Sequence, residues 1–139
     1  MYRPELCFLI SIFLATCGFS AVFAQQNNPC HLKGEATATR LLLGLSISGD
    51  KQVSAQAWEH FVDTEIAPRF TCGFTIIDSA GHWFNPGTRA AEAERSKMLI
   101  ILHKRDTETE NEINQITSLY KKRFQQQSVI RWDSLASVN

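Results

Sequence analysis

The sequence has no surplus of charge: 14 Lys and Arg stand against 14 Asp and Glu in 139 residues. Without a basic excess the chain has little with which to neutralise a run of phosphates, which argues against a nucleic-acid partner. The same balance argues against electrostatic recruitment to an anionic membrane. The familiar catalytic signatures are missing too. There is no Gly-x-Ser-x-Gly elbow, no His-Glu-x-x-His and no Cys-x-x-Cys. No Gly-rich loop opens a helix, so a phosphate cradle has no candidate. His31, His60, His82 and His103 never fall at i, i+3 or i+4, so the spacing predicts no metal site and no cofactor. Repeats and low-complexity tracts are absent.

The longest apolar run stands at the start. Arg3 precedes a stretch from Leu6 to Phe19, and Ala21-Val22-Phe23-Ala24 offers compact residues before Gln25. That is the form of a cleavable secretory leader over residues 1–24, too short for a membrane span. Its removal leaves no transmembrane segment and takes Arg3 and Glu5 together, so the charge balance persists. The protein is expected to be exported, periplasmic or secreted. The alternative is an outer-membrane lipoprotein anchored at Cys17, because Leu14-Ala15-Thr16-Cys17 resembles a lipid box in which Thr16 fits poorly. Export leaves Cys30 and Cys72 in an oxidising compartment, where one disulfide or two free thiols both satisfy the sequence.

Residues 25–38 are polar, contain Pro29 and Gly34, and read as a flexible tether. A single α+β domain is expected over 39–139, at 44% hydrophobic residues for the chain as a whole a globular composition. Leu41, Leu43, Leu45 and Ile47 alternate and predict a strand from Thr39 to Ser48. Ser54 caps a predicted helix whose stripe is Trp58, Phe61, Val62 and Ile66, ended by Pro68 near Ala67. A strand is expected at about 73–78. Ser79-Ala80-Gly81 then turns into a short hairpin strand, His82 to Phe84, followed by a loop from Asn85 to Arg95. Lys97 to His103 is apolar on both parities, which suits a strand covered on both faces. Thr107 with Glu110 reads as the capping box of a second helix carrying Ile113, Ile116, Leu119, Tyr120 and Phe124. Ser128 to Asp133 is the last predicted strand. Leaving out the hairpin strand, the order is that of a ferredoxin-like split β-α-β sandwich, with the first and third strands as its central pair. Both helices then lie on one side of the sheet. The other side inherits Leu42 and one apolar row of the third strand, and needs a cover: a homodimer partner, the hairpin loop or a ligand.

The chain resembles the bacterial exported family catalogued as domain of unknown function 3574. The resemblance rests on Arg40 to Ser46, Val53-Ser54 with Trp58 and Phe61, Pro68-Arg69-Phe70, Gly73-Phe74-Thr75 and Gly81-His82-Trp83. It continues through Glu94 to Lys97, Tyr120 with Arg123-Phe124, Gln126 to Arg131 and Asp133-Ser134. It implies an exported, often lipoprotein-like domain with no established activity. Leu42 and Leu43 stand where the family is aromatic, and Cys72 where it tends to be acidic. Ser137 stands where a cysteine is expected, which leaves Cys72 as the intramolecular partner for Cys30. The polar residues shared with the family are Arg69, Glu94, Lys97, Tyr120, Arg123, Gln126 and Arg131. In the structural reading they cap, pair and pack, with Glu94 and Lys97 joined across a loop and Trp58 and Trp83 as core anchors. In the functional reading Arg69, Arg123 or Arg131, with Lys97 and Glu94 nearby, bind a carboxylate-bearing ligand.

Three functions compete at this level. A non-enzymatic ligand-binding or structural module of the cell envelope leads. A small cofactor-free enzyme of the dimeric ferredoxin-like barrel type would draw its acid and base from His103, Tyr120 and Arg131. A secreted effector or inhibitor would act through the loop from Asn85 to Arg95.

Overall fold

Alternation of side chains along one strand organises the fold. The structure, a computed structural model, describes residues 30, 32–47 and 51–139. The expected leader, Cys17, and residues 25–29 and 31 of the expected tether lie outside the described residues. Strand β1 (Gly34–Gly44) sends Thr37, Thr39, Leu41 and Leu43 into the core. It begins five residues before the expected start, so the supposed tether end, 34–38, is strand. Its partner explains this: Gly34 to Ala38 pair with Val138 to Ser134 of the last strand. The chain then breaks at Leu45, and short strands β2 (Ser46–Ile47) and β3 (Lys51–Gln52) pair with each other.

Helix α1 (Ala55–Phe61) starts as the sequence predicts, the Ser54 hydroxyl accepting from the Ala57 amide at 3.1 Å. It widens into a π-helical turn, Val62–Ile66, in which the Ala67 amide reaches back to the Val62 carbonyl at 2.9 Å. Pro68, which has no amide hydrogen to continue the ladder, follows. Helix α2 (Thr107–Phe124) is capped one residue earlier than expected. Asp106, not Thr107, accepts from the Thr109 amide at 2.8 Å. The carboxylate is the stronger acceptor at a helix N-terminus, and this bond holds the Asp106 carboxyl below its ordinary value.

The largest departure is the hairpin. Strand β4 (Thr75–Asn85) runs straight through Ser79-Ala80-Gly81, and β5 (Ala90–His103) starts inside the expected loop. Ser79, Ala80 and Gly81 pair with Ser96, Arg95 and Glu94, so cross-strand bonds override a local turn preference. The true turn is 86–89, where the Asn85 carboxamide oxygen accepts from the Gly87 amide at 2.8 Å. Strand β6 (Ile130–Val138) completes one antiparallel sheet in the order β4-β5-β1-β6, which puts β1 and β5 at its centre. The fold is α+β with both helices packed on one side. Their stripes, Trp58, Phe61 and Ile66 with Ile113, Ile116, Tyr120 and Phe124, meet Leu41, Leu43, Leu99 and Ile101 of the sheet.

Cys30 and Cys72 are disulfide-bonded, with Cα atoms 4.8 Å apart. The bridge ties the segment ahead of β1 to the loop between the π-helical turn and β4.

Candidate functional site

The arginines proposed to gather on a ligand carboxylate are committed to carboxylates of the chain itself. Arg69 donates through Nη1 to the Glu65 carbonyl and carboxylate, at 2.6 and 3.1 Å. Its Nε lies 2.9 Å from the Glu112 carboxylate, so these two buried polar atoms are each other's partners. Arg123 reaches the other Glu65 oxygen at 2.5 Å and lies over the Phe61 ring. Arg131 contacts Glu110 at 2.9 Å and Asp133 at 3.0 Å. The structure therefore places the three arginines in two separate ion-pair clusters.

Lys97 does not join Glu94. Three residues apart on a strand, they face opposite sides of the sheet. Lys97 pairs with Asp78, its register partner, and its ammonium stands 5.8 Å from the centre of the Trp58 ring. Trp58 is a core anchor as expected, but Trp83 is half exposed at 50% on the projecting hairpin.

His103 belongs to a polar chain on the helix side. Its Nδ1 donates to the Lys104 carbonyl at 2.8 Å, and its Nε2 lies 2.9 Å from the Thr39 hydroxyl. Thr39, fully buried, donates to Asp133 at 2.7 Å, and Asp133 accepts from Arg131. A hydroxyl spent on a carboxylate and shut away from solvent does not serve as a nucleophile. Bonds from Arg131 first, and from Thr39, hold the Asp133 carboxyl below the ordinary carboxylate value, against the burial that opposes them. A carboxylate depressed on folding adds stability at pH above its unfolded value, and that stability is lost as pH falls through its folded value. The domain is thus expected to weaken as pH drops below about 4, and Asp133→Asn to flatten that acid limb. Urea midpoints measured between about pH 2 and 6 check it; parallel curves for the two proteins would refute the assignment.

Tyr120 and Glu94 do meet. Tyr120 sits in the core and its hydroxyl donates 2.7 Å to the Gly44 carbonyl at the end of β1. Burial, and secondarily the Glu94 charge, push the phenol above its ordinary value, which keeps it protonated and unsuited to act as a base. Beside it lies a hollow of about 400 Å³ on the helix-free side of the sheet. Leu42, Ile47 and Ile130 give it apolar walls, and Glu94, Ser96 and Gln126 give it polar ones. Gln126 gets there because α2 ends in a left-handed residue, Gln125 at φ 53°, which folds the following loop over the sheet end. The Gln126 amide nitrogen donates to the Ser46 carbonyl at 2.6 Å.

Gly44 forms the floor. A Cβ there would stand 2.6 Å from Glu94 Oε1 and 3.1 Å from Gln126 Oε1, so only glycine admits both oxygens. The sequence singled out Glu94, Tyr120 and Gln126 but not their meeting over Gly44. Gly44 within an otherwise apolar strand was the one available signal of a close approach. Among the described residues no group of three His, Cys, Asp or Glu stands together to hold a metal. Nor is any helix among them long and apolar enough to cross a membrane.

Two solved structures share the fold. A phage SAM lyase in complex with S-methyl-5'-thioadenosine superposes with a TM-score of 0.56 at 13% identity, over 78% of this chain and 93% of that one. A phage SAM lyase in its apo state gives a TM-score of 0.56 at 19% identity, over 76% and 84% respectively. No curated protein matches the chain. The model of the family described as "protein of unknown function (DUF3574)" matches residues 38–139, nearly the whole domain, and the chain belongs to that family.

Proposed function

We propose that this is an exported, non-enzymatic binding module of the cell envelope, a ferredoxin-like sandwich that works through the open face of its sheet and pairs with a second copy across it. The carrying observation is the apolar character of that face. In register, Leu42 stands beside Met98 and Ile130, Ile77 beside Met98, and Arg40 between Ile100 and Trp132. Ile77, Leu102, Ile130 and Trp132 are 40–57% exposed. Water contact with such a surface is unfavourable by about 25 cal/mol per Å². The size suits a second copy. The sheet has four strands; at about 4.8 Å spacing and roughly ten residues of 3.3 Å each, its face covers some 600 Å². Stable interfaces bury about 800 Å² per partner, and the hairpin arm can supply the remainder. Residues 90–95 extend past the end of β1, so this arm is two-stranded and carries Trp83 and Phe84 exposed. The Cys30–Cys72 bridge supports the export part of the reading, since such bonds persist in oxidising compartments.

Sedimentation of the mature chain is expected to show a dimer, and Leu42→Lys a monomer of unchanged circular dichroism, because the helix-side core is untouched. A monomeric wild type would refute the pairing. A cofactor-free enzyme is the second reading, supported by the shared fold with phage SAM lyase. Release of S-methyl-5'-thioadenosine from S-adenosylmethionine by the pure protein would favour it over the binding module.

A further inference from the structure

Glu94 and Gln126 present two acceptor oxygens over Gly44 that no donor among the described residues reaches. Elsewhere the half-buried carboxylates are occupied: Glu65 by Arg69 and Arg123, Glu110 by Arg131, Glu112 by Arg69, and Glu92 by Asn85 and Thr88. Glu94 has a neighbouring phenol, but Tyr120 gives its only proton to Gly44. The Gln126 amide cannot turn round, because its nitrogen is spent on the Ser46 and Phe124 carbonyls, at 2.6 and 3.3 Å. Its oxygen therefore points at the same spot as the carboxylate, within 3.1 Å of the Gly44 Cβ position. A carboxylate and a carboxamide oxygen converging in a partly enclosed hollow is an arrangement complementary to a charged N–H donor. The walls beyond it, Leu42, Ile47 and Ile130, suit a short aliphatic body.

We propose that this hollow binds a protonated aliphatic amine, its ammonium held between Glu94 and Gln126 and its chain against Leu42, Ile47 and Ile130. The proposal rests on the reading of the domain as a binding module acting through its open face, and it supplies the ligand class that reading lacks. The charge is the reverse of the carboxylate ligand expected from the arginines. The reason is that the arginines are satisfied and Glu94 is not.

Titration calorimetry of the disulfide-intact mature chain with hexylammonium chloride is expected to give saturable binding. Glu94→Gln should weaken it at least tenfold while leaving the melting temperature and sedimentation unchanged. Gly44→Ala keeps the charge but pushes the Glu94 carboxylate aside, and should weaken binding too. Hexanoate, of equal length and opposite charge, should not bind. Tetramethylammonium, charged but without N–H, should bind more weakly. Absence of hexylammonium binding, equal binding by Glu94→Gln, or hexanoate binding as tightly as the amine would each overturn the proposal. Sedimentation of the same samples separates it from the pairing. A monomer that binds the amine refutes the dimer and keeps the amine site; a dimer that ignores the amine does the opposite.

Discussion

Phe61→Ala is expected to cost about 3–5 kcal/mol, the range for emptying a large aromatic position in a packed core. Phe61 is fully buried where α1 passes into the π-helical turn. Its ring centre lies 6.4 Å from Trp58, 5.3 Å from Tyr120 and 5.6 Å from Phe124, the last two edge-on. Such edge-to-face pairs add about 0.5–1.5 kcal/mol beyond the area they bury. The neighbours have little freedom to collapse into the void. Tyr120 is pinned by its bond to the Gly44 carbonyl, and Trp58 is held under the Lys97 ammonium. Urea denaturation followed by tryptophan fluorescence measures the loss. A cost below about 2 kcal/mol would mean that the cluster relaxes and that its rings are not mutually locked.

Reducing the disulfide is expected to remove a comparable amount, about 4 kcal/mol. Cys30 and Cys72 are 42 residues apart, and closing a loop of that length lowers the entropy of the unfolded chain by about 13 cal/mol/K. A domain of this size has roughly 5–15 kcal/mol of stability in all, so the reduced protein should be close to its threshold. Cys72 is exposed, which opens the bridge to reductant without prior unfolding. Paired melts with and without dithiothreitol test this, with the double Cys30→Ser, Cys72→Ser variant expected to match the reduced protein. Identical melts would show that the start of β1 is held by its pairing with β6 and gains nothing from the bridge.

The elements themselves were legible because their signals are local. Period-two leucines marked β1, the continuous apolar run marked the second half of β5, and the helical stripes named nearly every residue the helices bury. The central position of β1 and β5 followed from the expected order of elements, in which the first and third long strands pair at the middle of the sheet. The apolar run of β5 is covered by helices on one face only. Parity showed that Leu42 and one apolar row of β5 share the open face; the register identified that row as Met98 and Ile100. Element ends were not. Ser79-Ala80-Gly81 has turn composition, yet it lies in mid-strand because Ser96, Arg95 and Glu94 sit opposite and complete its ladder. Gly34 to Ala38 has tether composition and pairs with residues about a hundred positions away.

The functional residues divide along the same line. The family resemblance picked out Glu94, Tyr120, Gln126 and the arginines, and residue type at a strand end picked out His103, because both are visible in a linear sequence. Their partners were not visible. Thr39 reaches His103 and Asp133 across 64 and 94 positions, and Tyr120 reaches Gly44 across 76. Whether an arginine binds a ligand or a neighbour depends on which carboxylates surround it, and charge neutralisation within the chain consumed Arg69, Arg123 and Arg131. Hydrophobic period is a property of neighbouring residues, so the sequence by itself determined the strands, the helices and the faces they bury. Hydrogen bonds and ion pairs are decided by distances of about 3 Å between remote segments, so only the tertiary structure decided that Glu94, among the half-buried carboxylates of the described residues, would be left without a donor.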